Sequence, residues 1–128
     1  MSDKPTITLT LEVRDTFVQD LLTAACEGGS AYWLRGAVHY KLDENSAPEY
    51  VEKVTKCFDA EDRSTKFEDI TLDTVRLGIK RIVQGELVRP DIKSTVLRCL
   101  MDGDCSDWDA ETADVVLQVG LLGSVVYG

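Results

Sequence analysis

The sequence predicts one α+β domain over residues 1–128, and three observations predict it. Residues 6–13 alternate apolar and polar side chains without a break. A second alternating run, Val38-His39-Tyr40-Lys41-Leu42, precedes a β-branched stretch, and from Thr71 onward three successive stretches carry apolar residues at helical spacing. The expected order is an N-terminal strand and helix, an antiparallel β-meander, and a C-terminal cluster of three helices with a buried last helix. A chain of 128 residues suits a single core that removes about two-thirds of the unfolded surface from water.

Taken in order, Thr6 to Val13 places Ile7, Leu9, Leu11 and Val13 on one face of a half-buried strand. Thr16, three residues before Gln19, has capping-box spacing, and Phe17, Leu21, Leu22 and Ala25 form the stripe of a helix that Gly28-Gly29 ends as a left-handed cap. Ser30 to Gly36 reads as a further helical turn before the strand at 38–42. Asp43 to Pro48 is turn-rich. Tyr50 to Phe58 is ambiguous, because Tyr50, Val54 and Phe58 suit either a helix or one strand face; Val51, Val54 and Thr55 favour a strand. Asp59 to Asp62 is then a hairpin loop, with Lys66 to Ile70 pairing back.

Thr71 caps a helix with Leu72, Val75, Ile79, Ile82 and Val83 inward and Arg76, Lys80 and Arg81 outward, ending at Gly85. Pro90 opens the next, with Ile92, Val96, Leu97 and Leu100 inward, ending at Gly103. Asp109 caps the last. It is apolar on nearly every side, so it belongs at the centre, with Gly120 and Gly123 where close packing is needed.

Composition excludes several classes. The formal charge of −9 opposes direct nucleic-acid binding, which depends on Lys and Arg neutralising phosphates, and suits either a basic partner or simple solubility. Cys26, Cys57, Cys99 and Cys105 are scattered and read as buried free thiols rather than a disulfide framework or a zinc site; with one histidine, no metal or other cofactor is expected. Residues 1–6 lack the features of a secretory signal and no apolar run could span a bilayer, which points to the cytoplasm.

The charge is concentrated. No Lys or Arg follows Arg98, and Asp102, Asp104, Asp107, Asp109, Glu111 and Asp114 crowd the approach to the last helix, so a negative patch is expected on a rigid element. The run is not an EF-hand: counted from Asp102, the sixth position is Asp107 rather than Gly and the twelfth is Ala113 rather than Glu. Gly28-Gly29 lacks the pattern of a phosphate-binding loop. His39 has no partners that define a general base, and nothing in the residues identifies a catalyst. Tyr32-Trp33 is either core or, if exposed, a binding hot spot.

Three strings, Gly28-Gly29-Ser30-Ala31-Tyr32-Trp33, Ala113-Asp114-Val115-Val116-Leu117-Gln118 and Gly123-Ser124-Val125-Val126-Tyr127-Gly128, resemble small acidic proteins encoded by bacteriophages and prophages. The resemblance implies a protein made in an infected bacterial host and acting on host machinery. By that analogy the chain is a non-enzymatic inhibitor of a host defence system, similar to anti-CRISPR proteins that compete with nucleic acid for a basic surface. The partner-binding residues are then Asp102, Asp104, Asp107, Asp109, Glu111 and Asp114, a second patch of Asp59, Glu61 and Asp62, and Tyr32 with Trp33. The alternative is a small-molecule or nucleotide binder, with Arg35, Arg76, Lys80 or Arg81 converging near Gly28-Gly29; a small phage enzyme is the third reading.

Overall fold

A computed structural model describes residues 4–85, 88–102 and 108–128. It is α+β, as the periodicities predict. Helix α1 (Asp15–Ala24) runs into a π-helical turn (Ala25–Gly29) and is followed by strands β1 (Leu34–Leu42), β2 (Pro48–Asp59) and β3 (Ile70–Thr71). Helices α2 (Leu72–Gln84), α3 (Pro90–Asp102) and α4 (Ala110–Leu122) complete the chain. The sheet is antiparallel with order β1-β2-β3, and α1 packs against β2.

The largest departure from the sequence reading is at the N-terminus. Residues 4–13 form no strand; they are extended, with Ile7 and Leu9 exposed. The alternation is genuine, yet no neighbouring strand is there to accept it. The first helix begins at Asp15 after Arg14, so Thr16 is not its cap. Gly28-Gly29 is not a left-handed cap either: Gly28 has φ 176°, ordinary extended backbone, and the helix unwinds through the π turn instead. Ser30 to Trp33 is a turn held by Trp33 N and Leu34 N donating to Ser30 O, and β1 starts at Leu34 rather than Val38.

Strand β2 explains why residues 50–58 resist a periodicity argument. Its buried residues, Val51, Val54 and Cys57, come at every third position. Three register shifts against β1 each insert one extra β2 residue, so twelve residues of β2 face nine of β1. Each extra residue is a bulge that resets which side chains face α1. One of these inserts lies beside Lys56, whose φ of 55° is the left-handed conformation such a bulge uses.

Among the helices, Thr71 N donates to Thr74 Oγ1 at 3.1 Å at the start of α2, and Asp109 Oδ1 accepts from Thr112 N at 3.0 Å at the start of α4. Every residue from Thr112 to Gly120 is buried, so α4 is the central helix. Helices α2 and α4 touch backbone to backbone: a Cβ on Gly78 would collide with Val116 O, and one on Gly120 with Thr74 O. Gly123 serves differently, as the left-handed residue (φ 86°) that ends α4, with open space around it. Arg81 does not simply face solvent. Its guanidinium donates to Val119 O and Gly120 O, supplying from α2 the cation that the last turn of α4 lacks. Leu117 is fully buried, and Leu117→Ala is expected to cost about 3 kcal/mol in chemical denaturation.

Candidate functional site

Beyond its first turn, α4 carries two polar residues, Asp114 and Gln118, one turn apart on one face. Asp114 is only 5% exposed. Its Oδ1 accepts from Ser30 Oγ at 2.8 Å and Trp33 Nε1 at 2.7 Å, and its Oδ2 accepts from Tyr32 OH at 2.6 Å and Gln118 Nε2 at 3.1 Å. None of these donors is a cation. A buried carboxylate is tolerated here because four directed hydrogen bonds replace its hydration.

Gln118 extends the network to the C-terminal segment. Its Oε1 accepts from Val126 N and Tyr127 N, both at 2.8 Å, and its Nε2 donates to Tyr127 O at 3.1 Å. The Tyr127 ring stacks on Trp33 at 4.9 Å between centroids and 7° between planes, while Phe67 meets Trp33 edge-on at 5.6 Å. Tyr127 OH then donates to Asp59 Oδ2 at 2.6 Å. The three strings singled out in the sequence therefore supply one structure: Ser30, Tyr32 and Trp33 from the first, Asp114 and Gln118 from the second, Tyr127 from the third.

This arrangement corrects two of the expected partner-binding residues. Asp114 and Trp33 are interior, at 5% and 1% exposure, and neither is available to a partner. Tyr32 remains 49% exposed. Asp109 is exposed but holds the α4 cap, and the Thr112 amide keeps its carboxyl below the usual carboxylate range. Glu111 reaches Arg89 at 2.6 Å, an exposed pair that contributes little to stability. Asp102 is exposed at the end of α3. Asp104 and Asp107 lie outside the described residues, as do Cys105 and most of the run tested against the calcium-loop pattern.

The second patch is a pair of carboxylate-centred turns. Asp59 Oδ1 accepts from Glu61 N and Asp62 N, and Asp62 from Ser64 and Thr65. These donors, with Tyr127 OH foremost at Asp59 and Ser64 OH at Asp62, hold both carboxyls below the ordinary range. Glu61 is exposed. Because Tyr127 contacts Asp59 and also lines a cleft with Tyr32 and Glu111, the two acidic groups flank the same C-terminal segment.

The cleft encloses about 820 Å³ between Gly28-Gly29, Ile92, the first turns of α4 and Tyr127. The cations proposed for a ligand there are elsewhere. Arg35 lies beside the π turn in a separate recess, Arg76 pairs with Asp15 and Asp73, Lys80 borders a groove between α2 and residues 9–13, and Arg81 caps α4. Arg89 reaches this cleft instead, already paired with Glu111 and Asp91.

The remaining candidates have structural partners. His39 is exposed and shares a 2.9 Å hydrogen bond with Thr55 Oγ1. Cys57 and Cys99 are buried and Cys26 is half-buried; burial pushes Cys26 up to about 12 and Cys57 up to about 11, which makes both poor nucleophiles. Among the described residues no three His, Cys, Asp or Glu side chains converge as a metal site.

The tyrosine hydroxyls offer a direct check. Tyr127 is raised to about 12, chiefly by its hydrogen bond to Asp59, and Tyr32 to about 12, chiefly by desolvation and then by Asp114. Both shifts favour the neutral phenol in the folded state. The stability they contribute is complete below pH 10 and is lost as pH rises through about 12. Asp59 works in the opposite sense: its contribution is present above the ordinary carboxylate pKa and is lost as pH falls through its lowered value. Ultraviolet titration of tyrosinate should show Tyr32 and Tyr127 ionising late among the four tyrosines, and Tyr127→Phe should remove one late transition.

Comparison with family models, with curated proteins and with solved structures returned no match.

Proposed function

We propose that this chain is a non-enzymatic protein-binding module whose acidic end docks on a basic protein surface. The observation that carries this reading is the convergence of two acidic groups, Asp59-Glu61-Asp62 and Asp109-Glu111, on either side of a rigidly held C-terminal segment beside the half-exposed Tyr32. Carboxylates on a fixed frame compete with phosphates for the same Lys and Arg groups, and an aromatic among them adds contact area at low entropic cost. Among the described residues no helix is long and apolar enough to cross a membrane. The resemblance to phage-encoded acidic proteins gives the reading its biological form: a cytoplasmic inhibitor, in an infected bacterium, of a defence complex that binds nucleic acid.

The test uses purified CRISPR effector complexes and a fluorescent target DNA. The protein is expected to displace the DNA from at least one effector, with potency falling as salt rises. Changing Glu61→Gln, Asp102→Asn and Glu111→Gln together removes three exposed charges and leaves the Asp109 cap and the Asp59 turn intact. This variant should melt with the wild type and lose potency by about tenfold or more. If no effector releases its DNA, or if the triple variant is equally potent at low salt, the reading fails.

The cleft favours a second reading. Its 820 Å³ falls within the roughly 300–1,000 Å³ of small-molecule sites, and Val88, Ile92, Val115 and Val125 give it apolar walls. A nucleotide seated there would meet Arg89, so saturation by a nucleoside diphosphate that Arg89→Ala abolishes would replace the inhibitor model with a ligand-binding one.

A further inference from the structure

Strand β1 is an edge. It pairs with β2 along one side, and from Gly36 to Leu42 its other side offers backbone N–H and C=O groups with no partner among the described residues. The bulges lie on β2, so β1 itself alternates regularly, and Val38, Tyr40 and Leu42 share the face that Val54 and Val51 turn toward α1. All three remain exposed, because α1 covers β2 and leaves β1 overhanging. Unprotected edges of this length normally find a covering strand or carry a device that blocks one. No proline lies within β1; Lys41 falls on the other face by alternation, and Arg35, at the N-terminal end of the strand, is turned back to donate to Ala31 O and Leu34 O.

The same chain carries a segment of complementary form. Residues 6–11 are extended and alternate, with no hydrogen bond from their backbone among the described residues, and Ile7 and Leu9 are 78% and 70% exposed. Within one molecule this segment cannot serve β1. Leu9, Leu11 and Val13 line a groove with α2 and Leu100, and α2 continues directly from β3, so the segment sits on the far side of the sheet order from β1.

We infer that two copies of this chain exchange residues 6–11, each segment adding as a fourth strand to the free edge of β1 in the other copy. Ile7, Leu9 and Leu11 would then cover Val38, Tyr40 and Leu42, with Thr6, Thr8 and Thr10 on the face that carries Ala37, His39 and Lys41. Apolar alternation without a partner, and an apolar edge without a cover, are explained by the same contact.

The test is the solution mass of the full chain together with hydrogen exchange. Wild-type protein is expected at twice 14.2 kDa in sedimentation equilibrium, dissociating on dilution. The paired change Thr8→Pro and Leu9→Pro removes an N–H from each side of the added strand in a segment that makes no hydrogen bonds of its own. It should leave circular dichroism unchanged, return the mass to that of a monomer, and speed amide exchange in residues 34–42. Val38→Lys approaches from the acceptor side, placing a charge where Ile7 or Leu9 must pack, and should also give a monomer. A monomeric wild type, a dimer that survives either variant, or unchanged exchange in residues 34–42 would overturn the inference.

Discussion

Replacing Asp114 by Ala is expected to lower stability by about 3 to 6 kcal/mol and the melting temperature by more than about 10 °C. The carboxylate receives hydrogen bonds from Ser30, Tyr32, Trp33 and Gln118, and Ser30, Trp33 and Gln118 are themselves almost wholly buried. Removing the acceptor leaves the Ser30 hydroxyl and the Trp33 ring N–H without partners in a dry interior, at about 1–3 kcal/mol each, while Gln118 keeps its bond to Tyr127 O. The cost spreads beyond α4, since Gln118 positions the C-terminal segment and Tyr127 covers Trp33. Asp114→Asn separates charge from shape. Its amide is best placed toward Tyr32, whose hydroxyl can turn to accept, so this variant should be less destabilised than Ala. The Tyr32 hydroxyl should also ionise earlier, because a hydrogen bond to the carboxylate contributes to its raised pKa. Equal melting of wild type and Asp114→Ala would mean that the network contributes nothing to the fold.

Gly120→Val is expected to prevent folding, at a cost above about 4 kcal/mol. Its Cβ would meet Thr74 O, and a backbone carbonyl inside a helix cannot rotate away as a side chain can. The reciprocal contact, Gly78 against Val116 O, predicts a comparable loss for Gly78→Val. Gly123→Ala is the informative control. It has open space around it and only the strain of a left-handed residue, so it should cost about 1 kcal/mol. Soluble expression followed by urea denaturation distinguishes the three; Gly120→Val folding with near wild-type stability would show that α2 and α4 stand farther apart.

Helices α2 and α3 were legible because each buries one stripe against the core, which imposes a 3.6-residue period on the sequence, and α4 because it is apolar on nearly every side. Their caps were legible at Thr71 and Asp109 for the same local reason: a short oxygen-bearing side chain must meet the first free amides. The middle was harder to read. In β2 three bulges convert the two-residue period into a three-residue one, and no local signal distinguishes that from a helix. At residues 6–13 the period was plain and the strand was still absent, because a strand is defined by its neighbour.

The site divides along the same line. Composition and order along the chain determined that acidic residues gather before a central apolar helix and that no cation follows Arg98. Only the tertiary structure decided which of those acids face solvent. Asp114 follows Glu111 by three residues, but Asp114 points between Ser30 and Trp33, more than eighty residues away, while Glu111 remains outside with Arg89. The physical reason is that charge is written residue by residue, whereas burial is a property of what the rest of the chain brings to a position. A carboxylate becomes interior when distant donors can satisfy it, and those donors are assembled only by the fold.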